Sequence, residues 1–209
     1  MQVTIFGANG KVGSIVTKLA LEKGYNVTAF VHSASKLSPH KNLSIKQGNI
    51  YDVDTVIEAV KGSNIIISTL GSWGTPKKDI VSTGMSNIIP AMEQDKIKRI
   101  ITLTGSDSEA QGDSRDVIHR TLRPLLKLVA GKILRDGEAH IELLEASNLD
   151  WTVVRSPAMT NMGDQAKFRL GTKRPMPWRT INRHSVARAI VELVEQDQWS
   201  QKAPYITRY

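Results

Sequence analysis

The sequence predicts an α/β fold: a Rossmann-type, doubly wound parallel sheet with helices on both faces and a small C-terminal substrate-side segment. Three observations predict it. Short β-branched apolar runs alternate with helical patterns of roughly 10–15 residues along most of the chain. One run, Asn64–Leu70 (NIIISTL), is apolar without alternation, as expected of a central parallel strand covered on both faces. A glycine-rich turn joins the first strand to the first helix, so the elements form βαβ units with right-handed crossovers.

The elements follow in order. Gln2–Phe6 (QVTIF) reads as a buried strand, and Val12, Ile15, Val16, Leu19 and Ala20 continue at helical spacing to a stop at Gly24. Tyr25–Val31 is a second strand, Leu43–Lys46 a third, and Val53–Val60 a helix. After the central run, Asp79–Glu93 is helical with Pro90 near its end, and Arg99–Thr104 (RIITLT) is a strand. Val117–Leu134 is helical in pattern, interrupted by Pro124 and Gly131, and His140–Ala146 continues as helix. Trp151–Arg155 (WTVVR) is a strand, His184–Glu195 a long helix, and Tyr205–Thr207 a last short strand. Residues 156–183, with Gly, Pro and Arg but weak periodicity, read as an irregular segment at the substrate side of one domain spanning 1–209.

The chain has 209 residues, enough for one domain whose folding buries roughly 70% of its unfolded surface. It contains no cysteine, which excludes disulfide scaffolds, thiolate nucleophiles and Cys-based zinc or iron–sulfur sites. No run approaches the roughly 20 apolar residues of a membrane span, and strand-like sequence from Gln2 leaves no room for a signal peptide. A cytoplasmic protein with no membrane and no nucleic-acid partner is the expectation. With 28 Lys+Arg against 20 Asp+Glu the charge is +8, which suits a phosphorylated cofactor; aromatics, at 5%, are too few for a base-stacking platform. Oligomeric state is not legible.

Gly7, Gly10 and Gly13 (GANGKVG) are spaced G-x-x-G-x-x-G in the first βα turn. There the first glycine permits a tight turn, the second lets backbone approach a pyrophosphate, and the third lets helix and strand pack closely. The helix N-terminus adds free N–H groups and a positive dipole end. The cofactor is therefore a dinucleotide. An NAD site usually has an acid after the second strand; this chain has His32-Ser33-Ala34-Ser35-Lys36, which favours a 2′-phosphate and NADP, with NAD possible.

Candidate chemistry is sparser. Ser106 is the best-placed side chain to orient an acceptor carbonyl, with a turn-forming serine as the plainer reading. His119 and His140 are candidate proton donors, both in helical patterns where packing roles are commoner. Asp107, Glu109, Asp113 and Asp116 match no metal-loop spacing and read as a solvated lid; no metal site is expected. The run 115–135 is basic and amphipathic. It reads as an ordinary helix with a solvated basic face, as a lid over an anionic acceptor, or as a membrane-surface or partner helix. Lys167, Arg169, Lys173, Arg174, Arg179 and Arg183 could border an anionic acceptor, and Trp73, Trp178 and Trp199 could stack on a planar one.

GANGKVG, Val27–Lys36, Gly48-Asn49-Ile50, Leu70-Gly71, Thr104-Gly105-Ser106 and Leu149–Pro157 (LDWTVVRSP) resemble the atypical short-chain dehydrogenase/reductases. The resemblance is nearest to the NAD(P)-binding group that contains flavin reductase/biliverdin-IXβ reductase. It implies that Gly7, Asn9, Gly10, Lys11, Val12 and Gly13 wrap the pyrophosphate, and that Asn49 and Ile50 flank the adenine. It further implies Leu70 and Gly71 beside the adenosine ribose, Thr104 and Ser106 near the nicotinamide ribose, and Pro157 and Ala158 at the carboxamide edge. Asn49 stands where the family commonly has Asp, and Ser156 where Pro is common. The Tyr-x-x-x-Lys pair of typical members is missing, as it is in the flavin-reductase group. The expected activity is NAD(P)H-dependent hydride transfer to a flavin, quinone or similar planar acceptor. The alternatives are a non-catalytic NAD(P)-binding redox sensor and a nucleotide-sugar or isoflavone-type reductase or epimerase.

Overall fold

In the computed structural model, which describes residues 1–114, 116–163 and 167–208, the chain alternates strands and helices as its pattern requires. The order is β1 (Gln2–Phe6), α1 (Gly13–Glu22), β2 (Asn26–Val31), β3 (Leu43–Gln47), α2 (Val53–Val60), β4 (Ile65–Ser68), α3 (Ile80–Gln94) and β5 (Arg99–Gly105). It continues with α4 (Val117–Glu145), β6 (Asp150–Ser156), β7 (Ala158–Thr160), β8 (Arg169–Gly171), β9 (Thr180–Asn182), α5 (Arg183–Glu192) with a following 3₁₀ turn (Leu193–Glu195), and β10 (Tyr205–Thr207). The main sheet has the order β3-β2-β1-β4-β5-β6-β10-β8. All its pairings are parallel except β10 with β8.

The strand side chains divide by the period of two. Val3, Ile5, Ile65, Ile67, Ile101 and Leu103 face a core completed by α1 and α5. Phe6, Ile66, Ile100, Trp151 and Val153 face a second core closed by α2, α3 and α4. Both faces of β4 are covered, which is why NIIISTL shows no alternation. Thr4, a polar residue in the central sheet, is satisfied by the Ala59 carbonyl at 2.9 Å and the Ser63 hydroxyl at 2.7 Å. The strand order reverses direction between β1 and β4, so the carboxyl ends of these strands open a crevice there.

One expectation changes in part. Residues 156–183 are not irregular throughout: among the described residues they hold β7, β8 and β9, and β7 pairs with β9 as a small second sheet. Strands of three residues are too short to show alternation. Residues 164–166 of that segment, and Arg115 of the basic run, lie outside the described residues. The interruption expected at Gly131 is present one residue earlier, as non-helical backbone at Ala130 (φ −131°, ψ 20°), while Pro124 does not break the helix. A straight helix would hold Arg123 and Glu138 about 22 Å apart at 1.5 Å per residue. Here they form an ion pair, so the halves 117–129 and 131–145 fold sharply back on each other. Only the second half packs along the sheet. Among the described residues no helix is long and apolar enough to cross a membrane.

Asp136 on α4 joins three elements. Its buried carboxylate accepts the Ser72 hydroxyl after β4, the Val81 and Ser82 N–H groups at 3.2 and 2.8 Å, and the Ser82 hydroxyl at 2.6 Å. Asp79, the residue in the N-cap position of α3, makes no capping bond of its own, so a neighbouring helix supplies the cap. Asp136→Ala strands these donors in the interior and is expected to cost about 3 kcal/mol of stability in urea unfolding.

Candidate functional site

The glycine turn sits at the mouth of the β1/β4 crevice. Gly7 has φ +78°, open to glycine and costly to other residues, and a Cβ on it would lie 2.9 Å from the Thr69 carbonyl carbon. A Cβ on Gly13 would strike the Gly7 carbonyl oxygen and lie 2.6 Å from Thr69 Oγ1. The Gly10 N–H donates to the Gly7 carbonyl at 2.9 Å, and Ser14 N–H to the Gly10 carbonyl at 2.9 Å. Helix α1 starts in this turn with no side-chain cap and no acid in its first turn. Its N-terminus therefore presents free donors and a positive dipole end to an anion, a cradle that fits a pyrophosphate.

Asn9 takes a part that the sequence did not reveal. Its Nδ2 donates to the Ser33 and Ala34 carbonyls at 3.4 and 3.1 Å, and its Oδ1 accepts the Lys36 N–H at 3.1 Å. The side chain thus binds the 33–36 loop to the glycine turn, and only its backbone is left for a phosphate. His32, Ser33 and Lys36 are exposed on that loop, at the carboxyl end of β2. Lys11 is exposed and Val12 buried, so Val12 contributes backbone.

The segment expected to flank the adenine is held by side-chain-to-backbone bonds and close packing. Asn49 Oδ1 accepts the Tyr51 N–H at 3.1 Å, and the Ile50 carbonyl accepts from Asn87 Nδ2 at 2.8 Å. A Cβ on Gly84 of α3 would lie 2.7 Å from Leu70 Cδ1 and 3.2 Å from Ile50 Cγ1. Gly84 and Asn87 were missed in the sequence. The readable signal was a glycine inside a helix, which costs roughly 1 kcal/mol against alanine and so asks for a packing reason.

The other candidates line up along the same edge. Register pairs Phe6 with Ser68, Ser68 with Thr102, Thr104 with Arg155 and Gly105 with Ser156. The ends of β2, β1, β4, β5 and β6 therefore carry His32, Gly7, Leu70 with Gly71, Thr104 with Ser106, and Pro157 in spatial order. Four strand spacings make this row about 19 Å long, matching an extended dinucleotide. Ser106 is buried, its N–H donating to the Ser156 carbonyl at 2.8 Å, while its hydroxyl makes no hydrogen bond among the described residues. Thr104 Oγ1 lies 3.2 Å from Ser108 Oγ, and a Cβ on Gly137 would run into both hydroxyls. Gly137 thus lets α4 lie directly on the end of β5.

His140 does not belong to the site, which corrects its reading as a proton donor. It is fully enclosed between α4 and β5. Thr102 Oγ1 donates to its Nε2 at 2.8 Å, and its Nδ1–H donates to the Gly137 carbonyl at 3.2 Å. Burial pushes its pKa down to about 4, against weaker opposing effects of the Gly137 carbonyl and Asp136. His119 is tied down as well, with Nδ1 2.8 Å from the Asp116 carboxylate and Nε2 donating to the Pro175 carbonyl at 3.1 Å. Trp199 packs beside the first core, and its carbonyl accepts from Thr152 near the start of β6, so it too leaves the list of acceptor contacts.

The acidic stretch after β5 is not a solvated lid. Arg155 donates to both oxygens of Asp113, with the Nη2 contact at 3.0 Å, and its Nε donates to the Ala203 carbonyl at 2.7 Å. Tyr205 Oη donates to Asp113 at 3.1 Å, and its ring lies 3.8 Å beneath the Arg155 guanidinium. Glu109 pairs with Arg123 at 3.1 Å and Arg174 at 3.5 Å. Arg174 also donates to Tyr205 Oη at 2.9 Å, so this buried arginine is not offered to an acceptor. Burial alone would raise the Asp113 pKa, but the Arg155 hydrogen bond, the Ala110 N–H and the Arg155 charge outweigh it and hold it low. Clefts of about 490 and 410 Å³ lie beside this network, lined by Glu109, Gln111, Glu138 and Glu145 among others, away from the glycine turn. Their acidic lining does not suit a phosphate, and the crevice at the strand ends does. Among the described residues no group of three or more His, Asp or Glu is placed to hold a metal.

The fold and this edge define a Rossmann-type dinucleotide-binding protein. The NAD(P)H-binding family model matches residues 7–197, and the chain belongs to that family. Its cofactor is NAD(P)H, in keeping with the resemblance to atypical short-chain dehydrogenase/reductases. The fold is similar to that of the oxidoreductase ylbE of Lactococcus lactis (TM-score 0.82, 20% identity, 100% of this chain and 91% of the other). It is also similar to a short-chain dehydrogenase/reductase of Veillonella parvula in complex with NADP (TM-score 0.80, 15% identity, 99% and 94%). A third similar fold is ChuY, an anaerobilin reductase of Escherichia coli O157:H7 (TM-score 0.77, 21% identity, 100% and 97%).

Two titrations follow. For His140 the folded pKa, about 4, lies below the unfolded value, near 6.5. The unfolded chain binds the proton first, so its share of stability is complete above pH 6.5 and lost as pH falls toward 4. Urea unfolding across this range is expected to show that slope, at most about 1.4 kcal/mol per pH unit, and His140→Gln to remove it. Asp113 has a depressed folded pKa, so its share is present at neutral pH and lost as pH falls below the usual carboxylate range. Asp113→Ala is expected to cost about 2–3 kcal/mol at pH 7 and less at pH 3, by at most about 1 kcal/mol, in the same measurement.

Proposed function

We propose that the protein is an NADPH-preferring reductase that passes a hydride to a flavin, quinone or similar planar acceptor. The observation that carries this reading is the pairing of a complete dinucleotide cradle with a nicotinamide side lacking a Tyr–Lys proton-transfer pair. Bound there, the cofactor supplies the hydride; planar acceptors of this class need positioning and water exclusion more than a strong acid. The chain's own residues do the rest. The turn at 7–13 and the α1 N-terminus fix the pyrophosphate, Ile50 and Leu70 wall the adenine side, and Thr104 and Pro157 border the nicotinamide. The Ser106 hydroxyl, without a hydrogen bond among the described residues, orients an acceptor carbonyl. With His140 sealed in the core, the proton that accompanies reduction comes from water. The name of ChuY, an anaerobilin reductase, is in keeping with a conjugated acceptor.

Preference for NADPH rests on the 31–41 stretch, which has Lys36 and Lys41 and no acid. The Asn9 bridge holds the Lys36 backbone against the glycine turn, placing the loop where a 2′-phosphate would lie.

The deciding experiment is consumption of NADPH and NADH by the purified protein with FMN, riboflavin and a small quinone. Saturable turnover is expected, faster with NADPH. Gly10→Leu is expected to remove both cofactor binding and turnover while the fold persists, since a Cβ at Gly10 meets only the Gly7 carbonyl, at 3.0 Å. Lys36→Glu is expected to lower the NADPH/NADH preference about tenfold or more. Tight cofactor binding without turnover on any acceptor would replace this reading with a non-catalytic redox sensor.

A further inference from the structure

The outer half of α4 is built inside out. On a wheel of 100° per residue, Val117, Leu128, Leu125, Ile118, Val129 and Leu122 fall within an arc of about 140°. That arc faces solvent: Val117 is 64% exposed, Leu125 60%, Leu128 84% and Val129 78%. The polar His119 and Arg123 occupy the inward side, bonded to Pro175, Glu109 and Glu138. A helix stabilised by its apolar stripe would bury that stripe; this one is held by its charges and leaves the stripe out. Exposed apolar area this continuous marks an interaction surface.

The charges around the stripe identify its occupant. No acidic residue lies between Asp116 and Asp136, while Arg120, Arg123, Lys127, Lys132 and Arg135 all do. Arg120 and Lys127 are exposed and border the apolar arc; Lys132 and Arg135 are exposed just past the bend at Ala130. A second copy packed stripe to stripe would set these cations against one another with no counter-charge on the segment. An anionic lipid surface answers both parts: acyl chains for Leu125, Leu128 and Val129, and headgroups for the cations.

We propose that residues 117–129 dock the protein on the surface of an anionic phospholipid bilayer without crossing it. The proposal stands apart from the choice of acceptor. It replaces the expectation that no membrane is a partner, which rested on the absence of a spanning segment.

The test is flotation with vesicles of phosphatidylglycerol and phosphatidylcholine (3:7) against phosphatidylcholine alone, at low and at 0.5 M salt. The full chain is expected to float with the anionic vesicles, to fall off with salt, and to stay behind with the neutral ones. Leu125→Glu/Leu128→Glu is expected to lower binding at least tenfold, and Lys127→Glu several-fold. Both alter exposed side chains, and retained NADPH binding confirms that each variant is folded; Leu128→Ser serves if the double variant is not. Failure of the wild type to bind anionic vesicles would overturn the proposal, as would binding unchanged in the leucine variants. A wild-type dimer that these substitutions convert to monomer in sedimentation velocity would also overturn it, assigning the stripe to self-association.

Discussion

The carboxyl edge of the sheet depends on helix α1 starting directly against the Gly7 carbonyl. At Gly13 there is no room for a single carbon between helix and turn, and at Gly7 none between turn and the strand end at Thr69. Those two contacts set the tilt of α1 and leave its first N–H groups aimed into the crevice rather than at a cap. The other candidates then follow from strand register: β2 and β4 end beside this turn, and β5 and β6 run three residues further, to Gly105 and Ser156.

What could be read in the sequence follows from range. The strands and the glycine turn are local patterns whose period or spacing reflects their own backbone, and they emerged with boundaries close to those observed. Asn9, Asp136 and Gly137 act across the fold. Asn9 reaches a loop 24 to 27 residues on, and Asp136 caps a helix that begins more than 50 residues earlier. No periodicity announces such partners. His140 shows the same limit from the other side. A histidine at helical spacing looks identical whether it meets substrate or Thr102, and only enclosure between α4 and β5 decides. The acidic stretch at 107–116 was misread because its partners, Arg155, Arg174 and Tyr205, lie 40 to 90 residues further along the chain.

The buried ions at the β6 side form a second centre of order. Arg155, Asp113, Arg174 and Tyr205 satisfy one another in a largely buried space, where an unpaired member would be costly. Because Arg155 precedes Ser156 and Pro157, this network also fixes the carboxyl end of β6. Part of the positive charge that composition alone assigned to an anionic ligand is here used internally, by Arg155 and Arg174.

Strand β10 gives the order of assembly during synthesis. It lies between β6 and β8 in the sheet although it follows both in the chain, and it carries the tyrosine on which the Arg155–Asp113 pair closes. The dinucleotide half, β1 to β5, can collapse around its two cores while translation continues. The β6 edge must wait until residue 207 has cleared the ribosome, and through that interval Arg155 and Arg174 lack their tyrosine. A nascent chain stalled before that point would hold a nearly complete cofactor cradle beside an open, charged sheet edge, the state most in need of a chaperone.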